Sequence, residues 1–376
     1  MANTWIEISA SAVANNVAAF RGIAGPDRAL MAVVKADAYG HGMREVAGIA
    51  LGAGADWLGV FSALEGLALR EAGIDAPILV FGPVPEAALD RALAARLRLT
   101  AASPVAAAAI AARPGAKGAR VHVKVETGTN RQGMLAGELP GAVRLLEAAG
   151  AVVEGAYTHF ADIEDTTEHA YAKKQKARFL EVLDGLRAAG VEIPMPHTAC
   201  SAAAILFPET HYALVRAGIG VYGLWPSKET HVSANALGRN RLGLEPAMTW
   251  KTRIAQIKCV VAGDYVGYGR TFRATRSTLL AVLPVGYADG YDRSLSNAAR
   301  TIVRGVRAPV VGRVCMNMMM VDVSDVPGAA EGDEVVLLGS QGDESVTAED
   351  LARLAGTINY EIVTRAAPGA PRIVVE

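Results

Sequence analysis

Along the first 220 or so residues, short apolar runs alternate with longer stretches in which apolar residues recur every third or fourth position. The runs at 31–34, 57–60, 78–81, 97–100, 121–125, 152–158, 193–198 and 213–216 read as buried strands. Helical spacing fills the intervals, at 11–23, in the alanine-rich segment 105–112 and most clearly at 173–189. Eight strands alternating with helices predict a parallel (β/α)8 barrel. Ahead of it, Trp5-Ile6-Glu7-Ile8 alternates apolar and polar as a lone strand does. Between Trp225 and Glu245 the pattern lapses into polar and small residues, which reads as a crossover between domains. Beyond it, short β-branched runs at 248–261, 277–283, 300–303, 308–311, 318–323 and 334–338, separated by Gly, Pro and Asp, predict an all-β domain. One helix is expected there at 348–355, capped by Thr347. The predicted fold is thus α/β plus all-β: a barrel at 11–235 and a β domain at 236–376, preceded by the strand within 1–10.

Composition narrows the function classes. A chain of 376 residues with 51% hydrophobic content can bury a large barrel and a second core. With a net charge of −1 and no basic run, nucleic acid is not an expected partner. No apolar stretch is long enough to span a bilayer, and the first residues lack a charged start followed by an apolar core. Cys200, Cys259 and Cys315 are odd in number, widely spaced and without a Cys-x-x-Cys pair, which suits a reducing cytoplasm. No metal site is expected.

The candidate chemistry starts at Lys35, which ends the first barrel run where another apolar residue would be ordinary. A strand-end lysine commonly snorkels to solvent. At the carboxyl end of a barrel strand, however, it can lose its charge and become a nucleophilic amine able to form a Schiff base. Gly40 and Gly42 bracket His41 and permit a tight turn before helical spacing resumes at Met43.

The octapeptide Lys35-Ala36-Asp37-Ala38-Tyr39-Gly40-His41-Gly42 resembles the pyridoxal-phosphate lysine motif of the alanine racemases. That resemblance implies a two-domain homodimer interconverting L- and D-alanine, with pyridoxal 5'-phosphate carried as an aldimine on Lys35. It implies that the N-terminal strand joins the C-terminal domain. Racemisation takes the Cα proton from one face and returns it on the other, so two bases are the simplest arrangement. Lys35 would serve the D-face. Val266-Gly267-Tyr268-Gly269-Arg270-Thr271-Phe272 is similar to the family's tyrosine segment and makes Tyr268 the L-face base, reaching the barrel of the other protomer. Since a phenol in water ionises near pH 10, such a base needs cations or hydrogen bonds around it.

The resemblance extends to cofactor and substrate. Arg216 matches the arginine facing the pyridine nitrogen, and a guanidinium that keeps its proton leaves the ring a weaker electron sink. Ser201, Gly218, Ile219, Tyr39 and Tyr360 match phosphate-binding positions, and His159 and His197 match histidines beside the cofactor. Arg131 and the backbone at Met316 would hold the substrate carboxylate, while Tyr287 would narrow the entrance. Lys124 matches a lysine that is carbamylated, giving Arg131 an anionic partner where an ammonium would repel it. Cys200, Glu126, Thr129 and Asn317 depart from the pattern, as does the segment after Tyr360. A racemase of serine or of broader range, a fold-related decarboxylase, and a pyridoxal-phosphate-binding protein without catalysis are the rival readings.

Overall fold

A computed structural model describes residues 3–240 and 242–376 of the chain. The described residues form two compact units. One comprises residues 12–38 and 43–245; the other comprises residues up to 11, residues 39–42 and residues 246–376.

The first unit is the barrel. After the N-terminal strand β1 (Thr4–Ser9), which belongs to the other unit, come β2 (Ala29–Val33), β3 (Trp57–Val60), β4 (Ile78–Val80) and β5 (Arg98–Ala101), then β6 (Arg120–Lys124), β7 (Val152–Tyr157), β8 (Met195–His197) and β9 (Leu214–Ala217). All pair in parallel, in the order β8-β7-β6-β5-β4-β3-β2-β9. Amides of Ala213 and Arg216 donate to the carbonyls of Pro196 and Ala199 and close the ring. Each predicted barrel run coincides with a strand, because strands covered on both faces must be apolar throughout. Helices such as Ala10–Ala24 and Ala170–Ala188 fill the intervals.

Two readings of this unit need correction. The segment after Trp225 is not simply a crossover: Ser227 caps a helix at Lys228–Ala236 by accepting from the Thr230 amide. That helix is polar enough to hide its period. The unit also extends to Glu245, further than the boundary drawn from texture, because the Asn16 side chain binds both the carbonyl and the amide of Glu245.

In the second unit β1 lies between β10 (Met248–Arg253), antiparallel, and the parallel β20 (Arg372–Val375). The run read as one strand at 248–261 is two, broken before β11 (Gln256–Val260), and they enter different sheets. A ribbon of β12 (Tyr265–Val266) and β13 (Phe272–Arg273) follows, then β14 (Thr278–Leu283), which β11 and β17 (Met319–Asp322) flank. The larger sheet runs β16 (Val306–Pro309), β15 (Arg300–Val303), β18 (Glu334–Gln341), β10, β1, β20, with β19 (Glu344–Val346) on β18. Thr347 caps the helix Ala348–Ala355 as expected, and a second helix, Asn359–Arg365, carries Tyr360.

Candidate active site

Strand β2 ends at Val33, and Lys35 opens an unusual turn. Ala36, Asp37, Ala38 and Tyr39 all take positive φ near 54°. Left-handed backbone costs non-glycine residues roughly 1–2 kcal/mol each, so something must hold it. Glu65 does so from the helix after β3, Ala63–Glu71: its carboxylate accepts from the amides of Ala36, Phe61 and Ser62 at 2.7, 2.8 and 2.9 Å. Asp37 in turn accepts from the Met43 amide and starts the following helix. The consequence is a lysine displaced from regular structure and half-buried at the strand's carboxyl end. Burial, then the charge of Arg131, lower its proton affinity, while Glu164 and Glu65 act in the opposite sense.

Arg216, on β9, is buried and commits three of its five N–H donors to the barrel. It donates to His197 Nδ1 at 2.7 Å and to the carbonyls of Thr158 and Thr198 at 2.9 Å. A guanidinium only donates, so Nδ1 of His197 must accept and its Nε2 must carry the proton. That proton points at His122 Nδ1, 2.9 Å away, which forces the His122 proton onto Nε2, facing Glu154 at 3.4 Å. One arginine therefore fixes two tautomers through the barrel interior. Burial, and then Arg216 for His197, hold the latter well below the ordinary histidine range; His122 is lowered too, mainly by burial. Arg216 itself falls to about 10 through burial, still charged at neutral pH.

Glu154, also bonded to Arg120 at 2.6 Å, is held down at about 2 by these partners against the opposing effect of burial. A depressed folded pKa contributes stability above the unfolded value of 4.5, lost as pH falls towards 2. Solvent screening at the exposed Arg120 discounts the full shift. On that basis Glu154→Gln should lower stability by ~2 kcal/mol at pH 7 and much less at pH 3, as urea midpoints at the two pH values would show. Neither His122 nor Glu154 stood out in sequence. Their signal was a polar residue inside an apolar buried strand.

Around Arg216 the remaining barrel residues gather. Tyr157 stacks on His197 with centroids 4.9 Å apart, and Lys124 Nζ sits 4.8 Å from the centre of the same Tyr157 ring. Burial first, then Arg216 and Arg131, bring Lys124 down to about 7. His159 is lowered well below its ordinary range by burial and the same cations. Arg131 lies on a loop whose ends are pinned, since the Met134 amide donates to the Lys124 carbonyl and the Glu126 amide to that of Met134. Its charge acts on Lys35, Lys124 and His159 alike. Ser201 Oγ accepts from the Gly218 amide at 2.8 Å and meets that of Gly220 at 3.5 Å. Ile219 is buried between those two glycines. With its oxygen accepting from these amides, the Ser201 hydroxyl keeps its proton to donate to an oxyanion. Cys200, beside them, is pushed up to about 12, chiefly by burial, which disfavours its thiolate.

The β unit gathers a second set. Tyr268 sits between β12 and β13, 73% exposed, with Gly267 and Gly269 at positive φ on either side. A Cβ on Gly269 would lie 2.9 Å from Arg313 Cζ, so only glycine lets that arginine come so close. The amides of Tyr287 and Ala288 donate to the carbonyls of Cys315 and Met316 at 3.0 and 2.9 Å, which ties Tyr287 to Met316. Tyr39 and Tyr360 face one another with ring centroids 6.0 Å apart.

Family models decide the kinship. Residues 8–226 match the alanine racemase N-terminal domain and residues 247–374 its C-terminal domain. The chain belongs to the alanine racemase family. An alanine racemase of Desulfosudis oleivorans is 44% identical over 99% of this chain and 96% of its own length. That of Symbiobacterium thermophilum is 44% identical, covering 99% and 97%. The crystal structure of the Bacillus anthracis alanine racemase with bound L-Ala-P superposes with a TM-score of 0.92 at 38% identity, covering 100% of this chain and 96% of that one. A Clostridium difficile alanine racemase in complex with cycloserine gives 0.89 at 33% identity, covering 100% and 96%. Among the described residues no helix is long and apolar enough to cross a membrane.

Proposed function

We propose that this chain interconverts L- and D-alanine as a cytoplasmic homodimer dependent on pyridoxal 5'-phosphate, and supplies D-alanine for peptidoglycan. The observation that carries the reading is the pairing, within one barrel, of a half-buried lysine of lowered proton affinity with a buried arginine that donates to an imidazole and two carbonyls. The barrel suits the cofactor: Lys35 offers an amine, Ser201 and the Gly218–Ile219 backbone offer phosphate donors, and Arg216 offers a proton donor that stays charged. When bound, the cofactor supplies the electron sink for the Cα carbanion. Arg216 keeps its proton and so restrains the sink, which places the demand on the bases.

Lys35 Nζ moves the proton on one face of Cα and Tyr268 Oη, from the partner protomer, on the other. Tyr39 and Tyr360 bind the phosphate, and His159 flanks the ring. Arg131 and the Met316 backbone hold the substrate carboxylate, with Tyr287 limiting side-chain size. A neutral Lys124 near pH 7 is the form that adds carbon dioxide, its nitrogen bonding carbon as one proton leaves. The carbamate formed then accepts two hydrogen bonds from Arg131. Electron density continuing past Lys124 Nζ is expected in a crystal grown without carbon dioxide depletion; density for a bare ammonium would remove the carbamate.

Alanine is the expected best substrate in a panel including serine and lysine, each assayed for racemisation and for exchange of the Cα proton with deuterated solvent. Faster turnover of serine would move the assignment to the broader-range enzymes, and no exchange with any amino acid would leave a binding protein.

A further inference from the structure

At the end of the barrel where the strands begin, a cavity of about 400 Å³ is lined by Arg70, Arg96, Arg98, Lys117 and Arg120, with Asp75 the only carboxylate of its lining among the described residues. Arg98 and Arg120 are the first residues of the neighbouring strands β5 and β6, so the cavity lies at the mouth opposite Lys35. The cations are placed rather than scattered. Arg70 donates to the carbonyls of Ala95, Ile74 and Ala76 at 3.0, 2.5 and 2.8 Å and so supplies charge more than free donors, and Arg98 lies over the Trp57 ring at 5.2 Å. Their proximity is unfavourable by itself. Burial and then Arg98 and Arg96 lower the proton affinity of Arg70, and burial together with Arg120 and Arg96 does the same to Arg98 against the pull of Glu154. Glu154 lies 3.4 Å from Arg98, but it also serves Arg120 and His122. The buried Nε of Arg98 makes no well-aligned hydrogen bond.

We propose that this cavity binds a small phosphate-class anion, a phosphate monoester or pyrophosphate group. Guanidinium groups favour phosphate oxygens, and a concavity lined by this many cations favours a multiply charged anion over chloride. The volume is that of a small-ligand site. The anion relieves the repulsion among the arginines, and it binds the folded chain alone, so it raises the unfolding temperature by mass action. The site is separate from the one that holds the cofactor phosphate.

The experiment is calorimetric titration of the cofactor-saturated protein with inorganic pyrophosphate, ionic strength being held constant with sodium chloride. Saturable binding of one anion per chain is expected, with a rise in unfolding temperature. The double variant Arg96→Ser, Lys117→Ser changes exposed residues only and should bind at least about tenfold more weakly, with its racemisation rate unchanged. Arg120→Ser should weaken binding independently. Heats no larger than those of the salt control would overturn the proposal, as would undiminished affinity in the variants.

Discussion

Lys35→Ala is expected to lower racemisation by at least about a thousandfold and to leave protein from which pyridoxal phosphate can be dialysed. Two losses would coincide in that one substitution, since Lys35 is proposed both to tether the cofactor and to act as a base. The backbone around it should survive. Glu65 binds the Ala36 amide and Asp37 the Met43 amide, and neither contact involves the lysine side chain. Stability should therefore change little, which separates a chemical defect from an unfolded one. A small primary amine supplied in solution should restore part of the rate, whereas Lys35→Arg should gain nothing from it. Protein that keeps its visible absorbance after dialysis would put the tether on another residue.

Much of this arrangement is legible in the order of residues alone, and the reasons are physical. Barrel strands announce themselves because both faces are buried, and Lys35 stands out because it ends an apolar run with a charge. The edge-rich β unit is legible in texture, yet its break after Arg253 is not, since β11 continues with a similar composition in another sheet. Helix Lys228–Ala236 is hidden by its own polarity, and helix Asn359–Arg365 by its shortness. The turn after Lys35 could not be foreseen. Alanine and aspartate seldom take positive φ in series, and the carboxylate that holds them there lies 29 residues on, in a capping box readable only as a helix start.

The site's inner wiring is the least legible part. Arg216 is marked in sequence for what it would meet in the cofactor, but its behaviour depends on the far side. Two buried histidines and Glu154 give it a neutral acceptor where a protonated imidazole would have offered a second cation and no lone pair. Such a line is assembled from β6, β7, β8 and β9, and no spacing along the chain records it. The same holds for Lys124, whose chemistry follows from burial beside two cations and not from its neighbours in sequence.

Tyr268→Phe should retain the cofactor and lose about two to four orders of magnitude in turnover, the range of a general base. The residue is largely exposed at a ribbon tip, so the change in stability should stay within about 0.5 kcal/mol. Because L- and D-alanine have equal free energies, kcat/KM must fall by the same factor in both directions. Net rates alone therefore cannot tell which face was damaged. Isotope exchange can: in deuterated solvent the variant should still wash out the Cα proton of D-alanine through Lys35, while that of L-alanine should be retained. Mixing this variant with Lys35→Ala tests the shared site directly, since a dimer of one chain of each holds one intact pairing of lysine and tyrosine. Activity should return on mixing two inactive proteins, up to about a quarter of the normal rate per chain at random 1:1 exchange, half the dimers being mixed with one working site of two. If the mixture stays inactive after subunit exchange has been verified, lysine and tyrosine act within one chain.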